Sequence, residues 1–205
     1  MKISKDFYAR DARIVAKDLL GKIIVHKVDG IKLKGKIVET EAYIGNIDKA
    51  CHAYGGKITP KIKPLYGTPG IAYVYFIYGK YFCFNVITKK EGEAEGVLIR
   101  AVEPIEGLEK MSYLRFQKSL NEITKAQRGN LTSGPSKFCM AFNIDKNNNE
   151  QKLYEGQLYI EEEKIKEKFE IVEDKRIGID YAKEAKDFLW RYYINNNKWV
   201  SVKKK

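Results

Sequence analysis

Residues 5–20, KDFYARDARIVAKDLL, place Ile14, Val15, Leu19 and Leu20 on one stripe at helical spacing, and Gly21 follows as a stop. The spacing predicts a helix there. The pattern then changes to period two. KIIVHKV (22–28) and KLKGKIVETEAY (32–43) read as strands around the turn signal Asp29-Gly30. IAYVYFIY (71–78), FCFNVIT (82–88) and GVLIRAVEP (96–104) continue the series, with Glu91–Gly96 as a polar turn. Residues 105–126 predict a helix, and 133–143 a short one after Ser-Gly-Pro-Ser. KLYEGQLYIEE (152–162) and the tail segments RIGIDYA, WRYY and KWVSV predict further strands around a short helix. Between the strands, HAYGGKITPKIKPLYGTPG (52–70) reads as a long irregular loop, which a compact domain usually keeps for function. No repeat or low-complexity linker divides the chain, and Lys146–Gln151 stands out only as an exposed loop. The pattern predicts one mixed α+β domain over residues 1–205.

Charge changes this picture more than composition does. Lysine and arginine number 38 against 27 acids, a net +11, and from Lys49 to Lys90 there are seven lysines and no aspartate or glutamate. A one-signed stretch of that size attracts a polyanion through counterion release, nucleic acid first; the competing reading is a solvated, lysine-rich surface. At 44% hydrophobic residues the chain can bury a sizeable core. The start, MKISKDFYAR, has no apolar leader, and the longest uncharged run, residues 64–79, is too short and too broken by glycine and proline to span a bilayer. Cys51, Cys83 and Cys139 form an odd, widely spaced set that reads as reduced and intracellular, and with two histidines a structural zinc site is not expected.

Three places could carry chemistry. In VETEAY (38–43), alternation puts Glu39, Glu41 and Tyr43 on one strand face, the glutamates about 7 Å apart. They could be an acid/base pair, one catalyst with one structural partner, or a solvated edge. In YVYFIYGKYF (73–82), Tyr73, Tyr75 and Ile77 share one face, Val74, Phe76 and Tyr78 the other, and Gly79-Lys80 marks a hairpin tip. Such tyrosines suit base stacking or insertion between base pairs, or a tyrosine-rich core. Asn85 and Arg100 sit in otherwise apolar strands, and a buried arginine needs a carboxylate, a phosphate or main-chain carbonyls. Were Arg100 to meet Glu41, it would hold an ionised carboxylate able to activate water. His52 could hydrogen-bond a heterocycle while packing against it.

These blocks carry a resemblance. DFYARDARIVAKDLLGK, GKIVETEAYIG, DKACHAYGG, TPGIAYVYFIYGKYFCFNV, LIRAVEPIEGLEKM, LTSGPSKFCMAF and RIGI, in this order, resemble the mammalian-type alkyladenine (3-methyladenine) DNA glycosylase family, here as a bacterial member. The resemblance implies a curved, mainly antiparallel sheet with a protruding β-hairpin and surrounding helices, like a formyltransferase C-terminal domain. Residue by residue, it implies that Glu41 is the general base activating water, that Arg100 helps hold that water, and that Glu39 has no catalytic role. Tyr43, His52 and Tyr75 match the walls of a pocket for the flipped base, and Asn85 the residue that discriminates against the 2-amino group of guanine. Ile177 matches a position whose main-chain carbonyl touches the water. Tyr78 matches the wedge that fills the gap left by the extruded nucleotide. Lys57, Lys61, Lys63 and Lys80, with the turn from Ser133 to Lys137, become phosphate contacts. Lys80 stands where the mammalian enzyme has a methionine, a departure that favours a phosphate contact over packing into the duplex.

The implied activity is hydrolysis of the N-glycosidic bond of alkylated or deaminated purines (3-methyladenine, hypoxanthine, ethenoadenine) in double-stranded DNA. No lysine in the matched cluster could form a Schiff base, so strand cleavage is not expected; nor is a metal, a cofactor or a membrane. The resemblance implies a cytoplasmic, nucleoid-associated monomer. The rivals are a non-catalytic nucleic-acid-binding module, which leaves Glu41 beside Arg100 unexplained, and another hydrolase acting on a bound purine.

Overall fold

The computed structural model describes residues 1–163 and 167–203. The helical stripe near the start forms two helices, α1 (Lys5–Tyr8) and α2 (Ala12–Leu19), rather than one. Asp11 is the reason: its carboxylate accepts from the Arg13 N–H and restarts the helix as an N-cap. Strands β1 (Ile23–Val28) and β2 (Ile31–Ile44) follow, then β3 (Ala72–Ile77), β4 (Tyr81–Ile87) and β5 (Glu95–Glu106). Residues 105–126 are not one helix either. Ile105 and Glu106 finish β5, and α3 (Leu108–Phe116) stops where Gln117 turns left-handed at φ 55°. A capping box on Thr124 then opens α4 (Lys125–Gly129). The short helix after Ser-Gly-Pro-Ser is α5 (Pro135–Ala141). The remaining strands are β6 (Leu158–Glu161), β7 (Ile171–Asp174) and β8 (Arg191–Ile194). RIGI and KWVSV do not pair as strands. Side chains, not a ladder, satisfy their backbones: Glu41 accepts from the Ile177 N–H, Glu39 from the Ser201 N–H and Asn197 from the Trp199 N–H.

All strand pairs are antiparallel, in the order β3-β4-β5-β2-β1-β6, with β7 and β8 joined through β2. β2 pairs with β1 along residues 31–36 and then with β8 at 39–41, so one long strand serves two neighbours on the same edge of a curved sheet. Helices α2, α3 and α5 pack on one face. There Val38 and Ala42 of β2, Ile99 and Ala101 of β5 and Phe84 and Val86 of β4 join Val15, Leu19, Met111 and Phe138 in the main core. Thr40 confirms the alternation, its hydroxyl donating to the Ala16 carbonyl of α2 at 2.9 Å. Glu39, Glu41 and Tyr43 therefore point to the opposite face. The β3–β4 hairpin is paired over residues 72–77 and 81–86, but β5 supports β4 only at 85–87, so the tip projects past the sheet. Among the described residues, no helix is long and apolar enough to cross a membrane.

Candidate active site

Directly paired residues share a face of a sheet. Tyr73 pairs with Asn85, Asn85 with Leu98, Leu98 with Glu41, and Glu41 with Arg191, a single row across β3, β4, β5, β2 and β8. One step along, Gly96 pairs with Tyr43. Over this row lies a cavity of about 470 Å³ lined by Tyr43, His52, Tyr73, Tyr75, Asn85 and Arg100, with Ile177 at its wall and Tyr78 at its mouth. Such a size suits a heterocycle.

A register shift in the β2–β5 ladder leaves Arg100 without an opposite residue, between the pairs Glu39–Ala101 and Thr40–Ile99. A bulge re-aims a side chain. Here it sets the guanidinium between both carboxylates: Nη1 lies 3.2 Å from Glu41 Oε1, and Nε donates to Glu39 Oε1 at 3.3 Å. Burial alone would lower the affinity of Arg100 for its proton, but Glu41 and Glu39 outweigh it and hold the group charged. Both glutamates are fully buried and differ in their partners. Glu39 receives Arg191 Nη1 at 2.9 Å and the Ser201 N–H at 2.7 Å, a closed structural set. Glu41 Oε1 receives the Ile177 N–H at 2.8 Å, and Oε2 the Tyr43 hydroxyl at 2.7 Å. A carboxylate offers about four acceptor sites, so one of Glu41 is left over. Ile177 thus meets Glu41 through its N–H.

The aromatic walls are ordered by contacts of their own. His52 Nδ1 lies 3.0 Å from the Tyr73 hydroxyl, and its ring meets Tyr75 edge-on at 4.6 Å and 76°. Tyr73 and Tyr75 lie 5.3 Å apart at 32°. His52 is exposed in part, but desolvation by packing against Tyr73 and Tyr75, then Lys57, push its pKa down and favour the neutral imidazole at pH 7. Burial, then Glu41, raise the Tyr43 phenol well above its ordinary value and keep it a donor. Asn85 is buried and donates through Nδ2 to the Tyr73 carbonyl at 3.1 Å. Among the described residues, no group of three or more histidine, cysteine, aspartate or glutamate side chains is arranged to hold a metal ion.

Strand alternation put Tyr78 on the face away from Tyr75, yet Tyr78 lines the cavity mouth. It belongs to the turn instead. Tyr78 and Gly79 have φ of 51° and 63°, and the Lys80 N–H closes on the Ile77 carbonyl, a type I′ turn. A left-handed tyrosine is uncommon, and this one is 90% exposed. Lys57, Lys61, Lys63 and Lys80 are exposed, and none forms an ion pair within the described residues, whereas Lys17, Lys22 and Lys36 each pair with a glutamate. Ser133 is half-buried and bridges Ala101 by backbone; the neighbouring Pro135 and Ser136 reach the cavity. Lys137 is half-buried, and burial, then Arg115, lower its pKa. Sequence reasoning missed Tyr181, 69% exposed at the cavity mouth, and the buried pair Arg176–Asp48 behind Tyr43. An isolated arginine and an aspartate in loops gave no local signal of meeting.

Comparison with known proteins agrees with this arrangement. The profile of the family described as Methylpurine-DNA glycosylase (MPG) matches residues 6–198. A protein of Clostridium tetani (strain Massachusetts / E88) named "Putative 3-methyladenine DNA glycosylase" is 68% identical over 204 residues, covering 99% of this chain and all of the relative. One of the same name from Clostridium botulinum (strain Loch Maree / Type A3) is 64% identical over 203 residues, with the same coverage. An arginine-held glutamate beneath an aromatic cavity, a projecting hairpin, exposed lysines without an ion pair among the described residues and a match along nearly the whole chain lead to one conclusion: the chain belongs to the methylpurine-DNA glycosylase family, a family of DNA-binding repair glycosylases.

Proposed function

We propose that the protein is a monofunctional DNA-3-methyladenine glycosylase, a single-domain monomer that removes alkylated or deaminated purines, among them 3-methyladenine, hypoxanthine and ethenoadenine, from duplex DNA in the bacterial cytoplasm. The observation that carries this reading is Glu41, buried directly beneath a cavity lined by Tyr43, Tyr75 and His52 and held there by two residues that do line it, Arg100 and, through its N–H, Ile177.

Extruding a nucleotide costs a few kcal/mol, least for a weakly paired lesion. Tyr78, at the exposed tip beside the cavity mouth, offsets part of this by stacking in the gap, while Lys57, Lys61, Lys63, Lys80, Ser133 and Lys137 hold the flanking phosphates. The base stacks between Tyr43 on one side and Tyr75 with His52 on the other; a cationic base such as 3-methyladenine gains from the electron-rich rings. Asn85, on the same row as Glu41, rejects the 2-amino group of guanine. Cleavage builds oxocarbenium character on the sugar, which the Glu41 carboxylate stabilises before taking the proton of the attacking water. Glu41 has no accessible surface of its own, so to come within hydrogen-bond reach of it the water must pass between Arg100 and Ile177, which line the cavity above it. No lysine lines the cavity among the described residues, which supports hydrolysis without a Schiff base and a product strand left intact.

The test is base release from duplex oligonucleotides carrying hypoxanthine, ethenoadenine or 3-methyladenine, followed by hot alkali to break the strand at abasic sites. Release by the wild type and not by Glu41→Gln is expected. Equal release by both refutes the base assignment. Binding without release from any lesion would favour a non-catalytic module.

A further inference from the structure

Behind Tyr43 lies a charged group with no part in the chemistry above. The Arg176 guanidinium is fully buried, stacked 4.6 Å from the Tyr43 ring centroid and 5.2 Å from that of Trp190. Its Nη atoms grip both oxygens of the equally buried Asp48, at 2.5 and 2.7 Å, and also donate to the Ala42 and Ala185 carbonyls. Nε finds no acceptor among the described residues. An apolar pair of similar volume generally matches or exceeds the stability of a buried ion pair, so stability alone does not account for this one.

What the pair does supply is a fixed junction. Arg176 precedes Ile177, whose N–H holds Glu41 Oε1 at 2.8 Å. Ala42 lies between Glu41 and Tyr43 in β2. Asp48 accepts from the Ala50 N–H, and its own carbonyl from the Cys51 N–H, in the turn that delivers His52. One side chain therefore ties the three segments carrying Glu41 with Tyr43, Ile177 and His52, and packs against the face of Tyr43 away from the cavity. A guanidinium does this because its planar fork makes several directed bonds while its face stacks on an aromatic ring.

We propose that the Arg176–Asp48 pair is a positioning element of this site: it sets the plane of Tyr43 and the contact of Ile177 with Glu41, and so governs the rate at which a bound base is cleaved without governing how tightly DNA is held. The inference rests on the glycosylase reading. It separates two properties that a merely structural role would move together, because among the described residues no hydrogen bond, ion pair or ring contact joins the exposed lysines or Tyr78 to the pair.

The experiment uses the charge-free double variant Arg176→Met/Asp48→Leu, which leaves no uncompensated buried charge, and Arg176→Lys, which keeps the charge and loses the fork. Thermal melting, affinity for undamaged duplex, single-turnover release of ethenoadenine at saturating protein, and quenching of ethenoadenine fluorescence on binding are measured for each. Folded variants with wild-type affinity for undamaged duplex are expected to release the base roughly tenfold to a hundredfold more slowly, the scale on which small misplacements act. They should also quench its fluorescence less. If the double variant does not fold, Arg176→Lys carries the same expectation. Wild-type release and quenching in a folded variant would overturn the proposal, as would a loss of DNA affinity in proportion to the loss of rate. A wild type that releases no base refutes the glycosylase reading itself, a result distinct from either.

Discussion

Glu39 and Glu41 lie two residues apart on one face, share Arg100, and should fail in opposite ways when each is changed to glutamine. Every partner of Glu39 is an obligate donor: Arg191 Nη1, Arg100 Nε and the Ser201 N–H. An amide keeps one oxygen and turns an NH₂ against one of these donors. The change removes a charge-assisted bond worth about 1.5–3 kcal/mol and orphans a donor at about 1–3 kcal/mol, so Glu39→Gln should lose about 2.5–6 kcal/mol. For a chain of this length each kcal/mol moves Tm by about 2–4 °C, so the melting point should fall by about 5–24 °C. Glu41 has a more adaptable neighbour. Its Oε2 meets the Tyr43 hydroxyl, which can turn from donor to acceptor, while the amide oxygen keeps the Ile177 N–H and Arg100. Glu41→Gln should therefore cost less than about 2 kcal/mol of stability but lower the single-turnover rate by about 10²–10⁴-fold, the worth of a general base. Differential scanning calorimetry and single-turnover base release, run on both variants well below their melting points, give the crossed pattern. A Glu41→Gln protein that cleaves at the wild-type rate, or a Glu39→Gln protein as stable as wild type, would refute the reasoning.

Tyr78→Gly should leave Tm unchanged or slightly raised, because it relieves a left-handed tyrosine at about 1–2 kcal/mol, while it weakens lesion processing; unchanged single-turnover kinetics would remove the wedge from the account. Changing Lys57, Lys61 and Lys63 together to glutamine should flatten the plot of log affinity against log salt by about 0.9 for each phosphate no longer neutralised, and an unaltered slope would place the DNA elsewhere. Both histidines favour their neutral forms in the folded state: burial pushes His26 and His52 down, with Lys57 adding to the effect at His52. The unfolded chain binds these protons first, so stability should be full above about pH 6.5 and decline as pH falls below it. Melting scans should show a lower Tm at about pH 5 than at about pH 7.5, and His26→Gln, which retains a donor for the Phe142 carbonyl, should shrink that difference; a variant with the full difference would exclude His26 as a source.

Period-two alternation by itself determined which residues of β2 and β3 share a face, because a strand must turn every second side chain the same way. Hence Glu39, Glu41 and Tyr43, and likewise Tyr73 and Tyr75, were legible before any contact was known. The lysine run without acids was legible for a similar reason, since charge sums along the chain whatever the fold. Helix boundaries were less so. The 5–20 and 105–126 stripes each hide a local stop, the Asp11 cap and the left-handed Gln117, which outweigh an apolar pattern. Alternation could not rank the two glutamates; the resemblance assigned them unequal roles, and the tertiary structure shows how their surroundings differ. Their inequality comes from donors 59 to 162 residues away, Arg100, Arg191 and Ser201 at Glu39 against Arg100 and Ile177 at Glu41, and from a bulge that no periodicity announces. The pairing of Arg176 with Asp48 has the same origin: a buried charge finds its partner through the path of the chain in space, and neither residue carries a local sign of it.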